Sequence, residues 1–102
     1  MDPFAALADP NRRRILEMLG EGSRPAGAIA AEFELTPPAI SQHLKALRET
    51  GLVRVEVDGT RRIYSLHPDG LAAVEDWLVR MRGFWSGRLD ALEQALERER
   101  GE

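Results

Sequence analysis

The chain has 102 residues, 43% hydrophobic and 30% charged, with a formal net charge of −3 and no cysteine. That length holds one ordinary domain, and a domain of this size buries only roughly 60–70% of its unfolded surface, so association would help it. The missing cysteines exclude disulfides, thiolate metal sites and cysteine nucleophiles, and they agree with a reducing, cytoplasmic setting.

No secretory leader is legible at the N-terminus, where MDPFAALADP lacks a basic start and a long apolar run. No run of about 18 apolar residues is present either, so no membrane partner is expected. The first helix is expected over residues 2–8, with Phe4 and Leu7 on one side. Asp9 followed by Pro10 is an N-cap and a first-turn proline, which opens a second helix over residues 11–19. Ile15, Leu16 and Leu19 form its inner face, and Gly20-Glu21-Gly22 ends it. Arg12, Arg13 and Arg14 stand near its start, either as a solvated face or as contacts to a phosphate backbone.

Residues 25–33 (PAGAIAAEF) predict a small-residue helix with Ile29 and Phe33 one turn apart. Glu34-Leu35 turns into the best-signalled helix of the chain. Thr36 caps it, Pro37 occupies its first position, and Gly51 supplies the left-handed stop. Ile40, Leu44 and Leu47 recur at helical spacing and make a stripe that must be buried. The opposite face carries Pro38, Ser41, Gln42, Lys45, Arg48 and Glu49, with His43 nearer the stripe, either packed or touching a phosphate. Small hydrogen-bonding side chains near the N-terminal end, followed by cations, suit a helix lying in a DNA major groove. Helix, short turn and helix is the helix-turn-helix pattern.

After Gly51 the period changes to two: Val53, Val55 and Val57 alternate with Arg54, Glu56 and Asp58. Asp58-Gly59 is a tight-turn pair, and RRIYSL over residues 61–66 is the return strand. A two-stranded wing carrying Arg61 and Arg62 therefore follows the candidate reading helix directly. From Pro68 to about Arg98 one long helix carries Leu71, Val74, Leu78, Met81, Trp85, Leu89, Leu92 and Leu96 in steps of three and four, widened by Trp77 and Phe84. Such a seam needs a partner, and a two-fold homodimer is the simplest. His67 is expected as a capping or surface residue.

Charge is distributed unevenly. Residues 1–35 carry net −2, residues 36–65 net +2, and residues 66–102 net −3. The positive charge thus sits with the reading helix and wing, where nucleic acid would be met. Catalysis has little to stand on: Ser41 and His43 are two apart on a helix and diverge, the carboxylates are scattered, and no glycine-rich phosphate loop occurs.

The blocks ALADPNRRRILEML, TPPAISQHLKALRETGLV and DGTRRIYSL together resemble the ArsR-type winged helix-turn-helix repressors of bacteria. That resemblance covers nearly the whole chain. It implies a mostly α fold with a hairpin wing, one domain with a recognition helix at 36–50, a wing at 52–66 and a dimerisation helix at 68–98. It implies double-stranded DNA as partner, read as an imperfect palindrome over a promoter. The DNA-facing residues would be Pro38, Ser41, Gln42, His43, Lys45, Arg48, Arg61 and Arg62. The dimer would join through the first and last helices, at Phe4, Leu7, Leu78, Met81, Phe84, Trp85, Leu89 and Leu92. Metal-responsive members of the family use cysteine pairs, or His/Asp/Glu sets on the last helix. Cysteine is absent here, and the last helix offers Asp76, Asp90, Glu93 and Glu97 without histidine, so the chain resembles the cysteine-free, metal-independent subgroup and no cofactor is expected. Two alternatives remain: a metal-responsive repressor of the same family, and a winged-helix adaptor that binds protein instead of DNA.

Overall fold

The computed structural model describes residues 1–101. In chain order the elements are α1 (Pro3–Leu7), α2 (Pro10–Gly20), β1 (Arg24–Pro25), α3 (Ala26–Ala31), α4 (Pro37–Glu49), β2 (Val53–Asp58), β3 (Arg61–Leu66) and α5 (Pro68–Arg100). The chain divides into two compact units, Met1–Ala72 and Ala73–Glu102. The first turn of α5 belongs to the first unit, and the rest of that helix makes up the second. None of the described helices is long and apolar enough to cross a membrane.

Helices start where their caps dictate. The Asp2 carboxylate accepts from the Ala5 amide at 2.9 Å, Asp9 accepts from Asn11 and Arg12 at 2.8 and 3.2 Å, and Thr36 Oγ1 accepts from Ala39 at 3.3 Å. Each of these caps precedes a proline in the first turn, which loses no hydrogen bond there. Burial pushes the Asp9 carboxyl up, but the Arg12 and Asn11 amides, together with nearby His43 and the Arg12 guanidinium, outweigh it and hold it below its ordinary value. A depressed carboxylate stabilises the fold above its unfolded value, and that stability is lost as pH falls through the native value. Asp9→Ala should therefore cost about 1 kcal/mol at neutral pH. Urea melts of both proteins should show the difference vanishing in acid, once the native carboxyl is protonated.

The core of the first unit gathers Ala6, Ile15, Leu16, Leu19, Ile29, Ile40, Leu44, Leu47, Leu52, Val53 and Tyr64. The three inward positions expected of α2 and the full stripe expected of α4 are all in it. One expectation is corrected here. The sheet has three strands in the order β1-β3-β2, so the wing is not a bare hairpin. Arg24 pairs with Tyr64 and Pro25 with Ile63, antiparallel. Pro25 therefore ends a strand, and its extended backbone (φ −70, ψ 153) serves as the N-cap position of α3. Proline, which has no amide hydrogen, is tolerated because β1 lies at the sheet edge. The hairpin loop is also shifted by one residue. Asp58 still pairs with Arg61, leaving Gly59 and Thr60 as the central pair. Gly59 has φ +64 and, among the described residues, no non-glycine has positive φ, which matches a loop with glycine at its first central position.

The end of α4 is built with care. Gly51 (φ +77) follows the C-cap Thr50; its amide donates to Arg48 O at 3.1 Å, and the Leu52 amide reaches Leu47 O at 3.0 Å. This is the paired six-to-one and five-to-two arrangement that satisfies the last carbonyls of a helix, and Leu47 and Leu52 make its apolar contact, both fully buried. The start of α5 then closes on this corner. Gly70 N donates to Gly51 O at 3.1 Å and His67 N to Leu52 O at 2.9 Å. His67 acts as a cap, its Nδ1 accepting from the Asp69 amide at 3.1 Å.

Candidate nucleic-acid interface

The reading surface follows from the burial of α4. With Ile40, Leu44 and Leu47 in the core, helical geometry turns Pro38, Ser41, Gln42, Lys45 and Arg48 outward, and all five are exposed. Lys45 makes one long surface ion pair, 3.9 Å to Glu49, of the kind worth little in water. Among the described residues, the side chains of Ser41, Gln42, Arg48, Arg61 and Arg62 make no hydrogen bond or ion pair within the chain. Donors left unspent on one rigid face are what a base edge or a phosphate requires.

His43 stands apart from the other seven residues expected to face DNA. It is half-buried, and its Nδ1 is enclosed without a hydrogen-bond partner.

The wing alternates as its sequence demands. Val53, Val55 and Val57 share a face with Leu66, Tyr64 and Arg62, their register partners. This is the face that packs on the helices, since Val53 and Tyr64 are buried. Arg54, Glu56 and Asp58 share the outer face with Ser65, Ile63 and Arg61, and Arg54 Nε donates to Ser65 Oγ at 3.3 Å. The two wing arginines are therefore on opposite sides of the strand. Arg62 comes to the reading helix: a groove of about 270 Å³ is lined by Ser41, Leu44, Lys45 and Arg48 of α4, by Ala26, and by Arg62 and Tyr64 of β3. Arg62 also borders a wider hollow of about 480 Å³ with Arg61, Thr60 and residues 25–27. Tyr64 and Ala26 had no functional signal in the sequence. The i, i+2 relation of Arg62 to buried Tyr64 would have assigned the inward arginine.

In the arginine run of α2, Arg13 and Arg14 are exposed, as a solvated face requires, and all three guanidinium groups also donate to backbone carbonyls. Arg12 Nε donates to Ala6 O at 2.8 Å, and Arg13 to Leu7 O and Ala8 O at 2.8 and 3.2 Å. Together they satisfy carbonyls at the end of α1 that have no helical partner. Arg14 donates to Glu32 O at 2.7 Å and lies over the Phe33 ring at 4.5 Å. It thereby holds the turn between α3 and α4.

In the second unit, Leu78, Val79, Phe84, Trp85, Leu89, Leu92 and Leu96 are all exposed. Phe84 and Trp85 meet edge to face with centroids 5.7 Å apart, and Arg88 covers Phe84 at 4.2 Å. Leu78, Phe84, Trp85, Leu89 and Leu92 among the expected dimer residues are thus open; Met81 and Leu7 are half-buried, and Phe4 is partly exposed.

Comparison with known proteins bears on the fold and the family. A family described as "Helix-turn-helix domain" matches residues 7–56, from the end of α1 into β2. The chain is 43% identical to the HTH-type transcriptional regulator Rv2034 of Mycobacterium tuberculosis, over 94% of this chain and 87% of that protein. It is 36% identical to the transcriptional repressor SdpR of Bacillus subtilis, over 74% and 84%. Among solved structures, the ArsR family transcriptional regulator RHA00566 superposes with a TM-score of 0.75 at 31% identity, covering 82% of this chain and 92% of that one. The homodimeric winged helix-turn-helix DNA-binding domain Mb0332 of Mycobacterium bovis gives 0.64 at 30% identity, covering 79% and 75%.

Proposed function

The chain belongs to the ArsR family of winged helix-turn-helix transcriptional regulators, which are not enzymes, and from that membership we propose that it is a homodimeric repressor occupying an imperfect palindrome over a promoter, without metal sensing. The observation that carries this reading is the unspent outer face of α4. Ser41 and Gln42, with Pro38 in contact, read base edges in the major groove, while Lys45 and Arg48 hold phosphates and the wing with Arg61 and Arg62 reaches the flanking backbone or minor groove. The two half-sites lie about one helical turn apart, roughly 34–36 Å. Homodimeric Mb0332 and the repressor SdpR support dimerisation and repression by kinship.

Metal independence rests on the donors. Cysteine is absent from the chain, and among the described residues no group of three or more His, Cys, Asp or Glu side chains is placed to hold an ion. His67 Nδ1 is already engaged by the Asp69 amide.

A gel shift with the duplex upstream of the chain's own gene tests the reading. Binding at low salt that a matching competitor removes, and that zinc leaves unchanged, is the expected result. No shift from an intact dimer would mean an adaptor, and release by zinc that chelator reverses would mean a metal sensor. Gln42→Ala should relax preference at one base position, by about 1–3 kcal/mol, read from binding to a set of single-base operator variants.

A further inference from the structure

The groove between α4 and the wing has a composition that selects its occupant. Lys45, Arg48 and Arg62 contribute three cations to one concavity of about 270 Å³, and Ser41 adds a hydroxyl. Leu44, Tyr64 and Ala26 also line it, and both Leu44 and Tyr64 are buried. The only acid paired with any of the three cations among the described residues is Glu49, 3.9 Å from Lys45. Among the described residues, the side chains of Arg48 and Arg62 have no hydrogen-bond or ion-pair partner. Cations from two separate elements facing one cavity repel each other unless an anion lies between them.

The register of the hairpin explains why one wing arginine is placed here and the other is not. Arg62 is opposite Val57 on the helix-facing side, whereas Arg61 is opposite Asp58 on the outer side, which also carries Glu56. Val57 is 73% exposed although it continues the face that buries Val53. At this register the wing has run past the helices, and its inner face is open beside the groove.

We propose that this groove seats a single backbone phosphate of the bound duplex, shared by Lys45 and Arg48 of the recognition helix and Arg62 of the wing, and that Arg61 takes no part in it. The proposal deepens the DNA-binding reading and rests on it. It divides two adjacent arginines that composition treats alike. It also gives the wing a mechanical role: one phosphate gripped from both elements fixes the angle at which α4 enters the major groove.

The test is a double-mutant cycle on operator binding, with Arg48→Ala, Arg62→Ala and the double variant titrated across a salt series. All the replaced side chains are exposed, and matching circular dichroism and melting curves confirm folding. Arg62→Ala and Arg48→Ala should each weaken binding, and the double variant should lose several-fold less than the product of the two single losses. Its log–log salt slope should fall by about 0.9 per half-site, the signature of one phosphate, whereas two separate phosphates would give about 1.8. Val57→Asp, which sets a carboxylate across from Arg62 on an exposed site, should reproduce the Arg62→Ala loss. Losses that multiply, or a Val57→Asp variant that binds as well as the parent, would overturn the shared phosphate while leaving DNA binding intact. If the unsubstituted protein shifted no duplex at low salt, the DNA-binding reading and this assignment would fall together.

Discussion

Replacing Leu89 and Leu92 together by Glu should leave a monomer at micromolar concentration and weaken operator binding by roughly 10²–10⁴-fold. The two leucines are 60% and 56% exposed, on a helix whose apolar stripe continues through Leu78, Trp85 and Leu96. Burying one leucine is worth about 1.5–3 kcal/mol, so four of them in a two-fold interface supply on the order of 6–12 kcal/mol against the cost of association. A glutamate at each site removes that gain and sets like charges on facing helices. The second half of the effect is statistical. A dimer delivers its second reading helix at high local concentration, and a monomer must bind each half-site alone. Light scattering and an operator titration on the same sample would check both halves. A dimer that survived the substitution, or a monomer that bound as well as the parent, would refute the arrangement. Both leucines lie outside the Met1–Ala72 unit, so a folding defect in the reading head is not the expected explanation of a loss.

Gly70→Ala should be the most damaging single substitution for stability. Gly70 is buried, and a Cβ there would lie 2.2 Å from Gly51 O and 2.9 Å from Leu52 N. Both are backbone atoms of the corner that terminates α4, so no side-chain rotation relieves the clash. The start of α5 must move away, and the 3.1 Å bond from Gly70 N to Gly51 O is lost with it. Overpacking and the broken hydrogen bond together should cost about 3 kcal/mol. For a domain of this size that lowers the melting temperature by roughly 12–24 °C. DNA affinity should fall as well, because the same corner sets where the reading helix ends. An unshifted melt would show that the α4–α5 junction is looser than these contacts imply.

The two sites are not equally visible in the sequence. Leu89 and Leu92 announce themselves by spacing, as part of a seam too long for a small domain to cover. Gly70 is one of nine glycines and sits in a helix, where its presence reads only as a weakness. Its reason is the carbonyl of Gly51, a residue 19 positions earlier and brought alongside by the intervening hairpin. The three arginines of α2 show the same limit. A run of like charges reads as solvent-facing, and Arg13 and Arg14 are exposed, but the carbonyls these side chains reach, Arg12 and Arg13 at the end of α1 and Arg14 at the end of α3, are not legible in it. β1 escapes for a different reason: a two-residue strand has no period to detect, and its pairing is supplied by β3 far along the chain.

What the residues alone determined was the reading helix: its cap at Thr36, its stop at Gly51, its buried stripe and its exposed donors, as well as the alternation of the wing and the family kinship. All but the kinship, which rests on three blocks spread along the chain, are decided within a turn or two, by hydrogen bonds and periodicity that neighbours in sequence control. What only the tertiary structure decided was which cation meets which element. Arg62 joining Lys45 and Arg48, Arg61 turned to the acidic side, the arginines of α2 spent on carbonyls and Gly70 locked against Gly51 all depend on distances between segments remote in sequence, and no local pattern encodes those distances.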